Sequence, residues 1–156
     1  MLDRTAQDGS GWAALQRADG EGRVVTKKRD EKTVLDVLYQ KGSGKIRTPR
    51  THGNWLDAVL INTSGGLTGG DRMKWQAQAA AGTHLVVTTQ ACERIYRAQD
   101  GSAQVSTELR VERGARLDWL PQETIVFEGS ALERSLEVEL ADDAVFLGVE
   151  AVILGR

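Results

Sequence analysis

Val105-Ser106-Thr107-Glu108-Leu109-Arg110-Val111 sets small or apolar side chains at every second position and polar ones between them. Successive side chains of an extended chain point to opposite faces, so this stretch predicts a strand with one buried face and one wet face. A break at Gly114 follows, and Ala115, Leu117 and Trp119 resume the apolar series. The same arrangement stands 32 residues earlier. Met73, Trp75, Ala77 and Ala79 alternate with Lys74, Gln76 and Gln78, the break falls at Ala80 to Gly82, and Leu85 and Val87 continue. It returns 29 residues later, where Leu136, Val138 and Leu140 alternate with Glu137 and Glu139, Asp143 marks the break, and Ala144 and Phe146 follow. One unit of this size cannot cover its own apolar face, so neighbouring units must stack on it. The expected fold is therefore all-β, a β-helical or solenoid-like stack of strands. An antiparallel sandwich would show similar strands but need not show similar units. No window carries sustained helical spacing of apolar residues.

Upstream, the segments near 12–17, 23–28 and 33–39 read as shorter strands, with Asp19-Gly20 as a turn between the first two. Residues 1–11 are small and polar and are expected to be frayed. No linker or low-complexity block divides the 156 residues, which suit a single domain spanning 1–156. A chain of this length buries roughly 70% of the surface it exposes when unfolded, enough for a real core. The formal net charge is −2 with both signs interspersed, which gives no footprint for nucleic acid. Lys27, Lys28 and Arg29 are followed at once by Asp30 and Glu31, as in a solvated turn or strand edge. No stretch approaches the ~20 apolar residues of a membrane span, and residues 1–11 lack the pattern of a secretory signal. A cytoplasmic location is expected, and the single Cys92 fits a reducing compartment.

Three segments carry side chains that invite chemistry. The loop from Asn62 to Asp71 contains Gly65, Gly66, Gly69 and Gly70 and follows an apolar strand at 57–61. A phosphate cradle of the Walker type needs a lysine that is missing here, and the dinucleotide pattern needs a helix where 72–79 alternates like a strand. A structural turn or docking loop is the preferred reading over a nucleotide-binding one. The segment from Thr88 to Arg97 groups Thr88, Gln90, Cys92 and Glu93. A cysteine nucleophile needs a neighbour that lowers its pKa, and nothing in the spacing brings His52 or His84 to it. Nickel held by Cys92 with a histidine is chemically sound, but scattered candidates assign no metal ligands. The third segment, Trp119 to Phe127, holds Pro121, Gln122 and Glu123. Gln122 follows Gln90 by 32 residues, so the two amides occupy matching places, either as a hydrogen-bonded stack or as part of a polar channel. With 22 acidic residues in the chain, close carboxylate pairs arise by chance. The four tryptophans read as core or interface anchors.

Taken together, these segments resemble the UreD family, called UreH in some organisms. The resemblance lies in Leu60 to Asp71, in Val87 to Ala91 with Tyr96-Arg97, in Leu120 to Ile125, and in Leu154-Gly155-Arg156, in that order. It is strongest over 55–156. It implies a β-helical fold and no enzymatic activity. It also implies a scaffold that joins apo-urease, recruits the nickel-carrying GTPase UreG together with UreF, and guides nickel through an internal passage. No tightly bound cofactor is implied, and nickel would be in transit. Thr88, Gln90, Glu93, Gln122 and Glu123 are the polar residues of the matching blocks expected to line the passage or a partner surface. Family members are considerably longer. The resemblance therefore implies an N-terminal part whose C-terminal half is absent, with exposed strand edges over 144–154 and poor solubility alone. The alternatives are a β-solenoid interaction module unrelated to nickel and a nucleotide-binding domain that uses the Gly65–Gly70 loop.

Overall fold

The computed structural model describes residues 16–155, and all regular structure within them is β-strand. The chain runs through β1 (Asp19–Arg29), turns back in β2 (Lys32–Gly42), and passes by way of β3 (Gly44–Arg47) into β4 (Leu56–Asn62). Three coils of three strands each follow. The first is β5 (Arg72–Ala79), β6 (His84–Thr89) and β7 (Glu93–Ile95). The second is β8 (Ala103–Val111), β9 (Arg116–Leu120) and β10 (Thr124–Val126), and the third is β11 (Leu132–Leu140), β12 (Val145–Gly148) and β13 (Val152–Leu154). Corresponding strands pair in parallel, so each coil lies directly on the one before. The result is a β-solenoid with three sheets, ordered β11-β8-β5-β1-β2, β12-β9-β6-β4-β3 and β13-β10-β7.

The register is the sequence repeat made physical. Met73 lies opposite Val105, and Val105 opposite Arg134. On the second sheet Leu85 faces Leu117 and Leu117 faces Phe146. On the first two coils Leu85, Val87, Leu109, Val111 and Leu117 are all buried. The breaks at 81–82, 113–114 and 142–143 are the turns that carry each coil from the first sheet to the second. Pro121 ends the second-sheet strand, as expected of a residue without an N–H to donate, and the chain turns there into β10. These third-sheet strands are three residues long, too short to show alternation, and sequence reading did not anticipate them.

The amino-terminal end departs from expectation. Asp19-Gly20 is no turn but the start of β1, with Gly20 opposite both Gly42 and Met73. Its missing side chain is needed there, because a Cβ would stand 2.6 Å from the Met73 sulfur and from the Gly44 nitrogen. The actual reversal is at Asp30, which adopts a left-handed φ of 53°, a conformation to which Asp is better suited than most residues. Lys27 reaches across this hairpin to Asp36 at 2.9 Å. The expected strands at 23–28 and 33–39 lie within β1 and β2. Of the expected strand at 12–17, residues 12–15 lie outside the described residues, as does 1–11, and Gln16 and Arg17 are not in a strand.

Candidate functional site

The Gly-rich loop is built around its own aspartate. Asp71 is buried, and its two carboxylate oxygens accept the Ala18 and Thr68 backbone N–H groups, each at 2.8 Å. Gly65, Gly66 and Gly70 take positive φ angles of 81°, 136° and 85°, which a Cβ would strain. Gly69 has a different reason to be small: a Cβ there would lie 2.1 Å from the Asp100 carbonyl oxygen. Strand β5 begins at Arg72, so no helix N-terminus stands at the loop to receive a phosphate.

Behind this loop a line of polar side chains runs through the solenoid interior. Glu93 opens β7 and turns inward, and both its carboxylate oxygens accept from the Asn62 amide at 3.2 Å. Its strand partner in the next coil is Thr124, also inward and buried. Thr124 Oγ1 accepts from Arg134 at 3.0 Å, and a second guanidinium nitrogen of Arg134 donates to Glu150. Glu150 also accepts the Trp119 indole N–H at 2.9 Å. Among the described residues the buried Arg134 Nε has no hydrogen-bond partner. Asn62, Glu93, Thr124, Arg134 and Glu150 thus connect all three coils and the strand that precedes them.

Two cavities meet at Glu93. One, about 210 Å³, opens beside Asn62, Gln90, Cys92 and Arg94. The other, about 50 Å³, lies deeper, between Trp75, Trp119, Thr124 and Arg134. Leu60, Trp75, Thr89 and Glu93 border both. The inner space is roomy enough for ordered water, which needs at least about 10–15 Å³ and two or more polar partners.

Burial pushes the Glu93 carboxyl above the ordinary glutamate range, against the opposing pull of the Asn62 amide, the Arg94 N–H and the Arg134 charge. A raised folded pKa means that the folded state holds this proton more tightly than the unfolded chain does. Its contribution to stability is full below the unfolded pKa and is lost as pH rises through the folded one. Glu93→Gln removes that dependence. The variant is expected to gain urea resistance relative to the parent as pH rises from about 4 to about 7, since glutamate titrates near ~4.3 when unperturbed. A variant less resistant than the parent at the upper end would show that the ionised carboxylate is the better-held form.

Of the other expected site residues, Gln90 and Gln122 border the cavities, one on each, but both side chains are exposed. Among the described residues no hydrogen bond joins these two amides. Their backbone N–H groups donate instead, to the Leu60 carbonyl and to Thr89 Oγ1. The Thr88 hydroxyl donates a hydrogen bond to the Leu120 carbonyl at 2.8 Å, tying two coils together. Glu123 meets Glu93 only through its backbone oxygen, which accepts the Glu93 N–H. Cys92 is half-buried at the cavity mouth. Neither histidine borders that cavity: His52 is exposed, and His84 sits 2.9 Å from Asp118 on the second sheet. Burial alone would raise the Asp118 pKa, but hydrogen bonds from Arg116 and His84 outweigh it and hold the carboxyl below its usual range. Among the described residues no group of three or more His, Cys, Asp or Glu side chains is placed to hold a metal ion, and no helix is long and apolar enough to cross a membrane.

Arg134 and Glu150 were missed by sequence reading, although one signal was present. Counting back from Leu136 by twos puts Arg134 at an inward position of the third unit, level with Met73 and Val105. A cation in an otherwise apolar column requires a partner inside.

The family model for the UreD urease accessory protein matches residues 18–156. Proteins named urease accessory protein UreD are similar along most of the chain. The one from Chelativorans sp. (strain BNC1) is 62% identical over 155 residues, covering 99% of this chain and 56% of the relative. Those from Rhizobium leguminosarum bv. trifolii (strain WSM2304) and Agrobacterium fabrum (strain C58 / ATCC 33970) are 56% and 55% identical over 141 residues, covering 90% of this chain and 52% and 50% of the relatives. The chain spans about half the length of the curated relatives it matches. Its coiled fold, its glycine-rich loop and these matches agree: the chain belongs to the UreD urease accessory protein family.

Proposed function

We propose that this chain acts in urease maturation as a non-catalytic scaffold, and that nickel on its way to urease passes through the solenoid interior by way of Glu93. The observation that carries the reading is the line of polar side chains from Asn62 and Glu93 to Thr124 and Arg134. Glu93 stands where an outer and an inner cavity meet, its carboxylate held only by an amide and a backbone N–H. A hard carboxylate in a confined, weakly polar space attracts a divalent cation, and a site without a full ligand set lets the ion leave again. Nickel is cargo in this scheme, not a resident cofactor. Docking to apo-urease, with UreF and UreG as the partners that deliver nickel, completes the proposal. A cytoplasmic setting fits those partners.

The test is complementation. A host that carries urease and its other accessory proteins, but lacks its own UreD, receives this chain or its Glu93→Ala variant. Nickel content and urea hydrolysis of the purified urease are then measured. The parent chain is expected to restore both. The variant is expected to lower nickel loading at limiting nickel by about tenfold, the size of a ~1.4 kcal/mol rise in one barrier. Equal loading by the two proteins would rule Glu93 out of the route.

A further inference from the structure

On the outer face of the third sheet stands an aromatic pair held rigidly but left open to solvent. Arg94 points out between the inward Glu93 and Ile95, and Tyr96 follows. The Tyr96 ring stacks on Phe127 of the next coil, with centroids 5.6 Å apart and planes 3° from parallel. Glycines close the stack at both ends. A Cβ on Gly66 would collide with the Tyr96 ring, and one on Gly155 would stand 3.0 Å from the Phe127 ring. The backbone beneath is tied as well: the Tyr96 N–H donates to the Leu67 carbonyl at 2.7 Å, and the Leu67 N–H to the Arg94 carbonyl at 2.8 Å. Tyr96 is nonetheless 42% exposed. It belongs to the first coil and Phe127 to the second, so the ring faces are covered and what remains open is the outward edge of the stack.

Two guanidinium groups flank the pair. Arg94 stands beside Tyr96 and Cys92, and Arg97 packs on Gly129, where a Cβ would lie 2.9 Å from its Nε. Both arginines are exposed, and among the described residues neither makes an ion pair. On the other two sheet faces Lys74, Arg110 and Arg116 each have a carboxylate partner, in Glu108, Glu139 and Asp118. The one carboxylate next to Arg94 in the chain, Glu93, turns inward to Asn62. Gly66 borders two hollows in this face. The larger, about 570 Å³, is lined by Arg17, Ser64, Thr68 and Tyr96, and the smaller, about 210 Å³, by Cys92 and Arg94.

We infer that this face is a docking surface for an acidic segment of a partner protein. Carboxylates of the segment pair with Arg94 and Arg97, and an apolar or aromatic side chain packs on the open edge of the Tyr96–Phe127 stack. A guanidinium binds a carboxylate through two parallel hydrogen bonds, which fixes orientation as well as charge. Tyrosine and arginine carry much of the binding energy at protein interfaces, and a ring already locked in place loses little freedom when a partner arrives. Single-stranded nucleic acid also uses rings and arginines, but it needs a line of cations that tracks its backbone. This chain carries 20 basic against 22 acidic residues and offers no such line. The surface does not need the nickel route, since it lies outside the sheet and Glu93 points in. Arg94 does border the outer cavity, so a docked segment covers its mouth.

The experiment pans a library of random displayed peptides on this chain at low ionic strength. The enriched peptides are expected to cluster Asp and Glu around a leucine or an aromatic residue. Synthesised singly, they are expected to bind about tenfold or more weakly to the Arg94→Glu, Arg97→Glu double variant and to Tyr96→Ala, and to lose affinity as salt is added. Both arginines are exposed, so their reversal is expected to leave the circular dichroism unchanged. Arg113→Glu, in the exposed turn between β8 and β9, is expected to bind as the parent does. A selection that enriches no acidic peptide overturns the inference. So does binding that survives the double charge reversal, and so does a single-stranded oligothymidylate that displaces the peptides at equal concentration.

Discussion

Leu117→Ala is expected to destabilise the fold by about 3 kcal/mol, within the ~2–5 kcal/mol seen for deleting a buried leucine side chain. Leu117 is fully buried and sits in the middle coil, opposite Leu85 on one side and Phe146 on the other. In a stack whose stability is a sum of coil and neighbour terms, a middle-coil residue contributes to two interfaces and an end-coil residue to one. The loss should lower the melting temperature by roughly 6–12 °C, taking ~2–4 °C per kcal/mol for a domain of this size. In urea the midpoint should fall with little change in slope, because the variant exposes the same surface on unfolding. Leu147→Ala is the internal control. Leu147 lies on the end coil and is half-exposed, and its truncation should stay below about 1 kcal/mol. Equal losses at Leu117 and Leu147 would contradict the placement of the core between the first and second sheets.

The long strands were legible for a simple reason. Strands β5, β8 and β11 are eight or nine residues long, enough for the two-residue period to show, and their spacing displayed the coil length directly. The third sheet was not legible. Glu93–Ile95, Thr124–Val126 and Val152–Leu154 each provide two inward positions at most, and in the first two segments one of those positions is polar. Asp19-Gly20 misled because glycine marks turns far more often than it marks a strand crossed at close range by a neighbour. Here the Met73 side chain and the Gly44 backbone occupy the space that a larger residue would fill. The polar interior was half visible. Chemistry and motif position picked out Glu93, but the same reasoning also named Thr88 and Glu123, whose contacts to the neighbouring coils run through backbone oxygens. What separated them was burial and direction, and in irregular segments around Pro121 no period reports either.

Arg134→Met is the sharper test of that interior, because it keeps the volume and deletes only the charge and its donors. Thr124 Oγ1 would lose the Arg134 donor, Glu150 would keep only the Trp119 N–H, and Glu93 would face the lumen with no cation nearby. Removing one member of a fully buried ion pair costs about 3–5 kcal/mol. Arg134 and Glu150 are both partly exposed, so solvent screening reduces the expected loss to about 2 kcal/mol at neutral pH. The Glu93 carboxyl should also titrate higher than in the parent, since the Arg134 charge is one of the forces holding its pKa down. These effects share a cause, and a double-mutant cycle isolates it. If Arg134 serves as the counter-charge of the inner cavity, Arg134→Met should cost clearly less in a Glu93→Gln background, where no buried carboxylate is left unbalanced. Equal costs in the two backgrounds would mean that Arg134 stabilises the fold only through Thr124 and Glu150. The polar line would then be two separate clusters, and a cation arriving at Glu93 would meet no opposing charge further in.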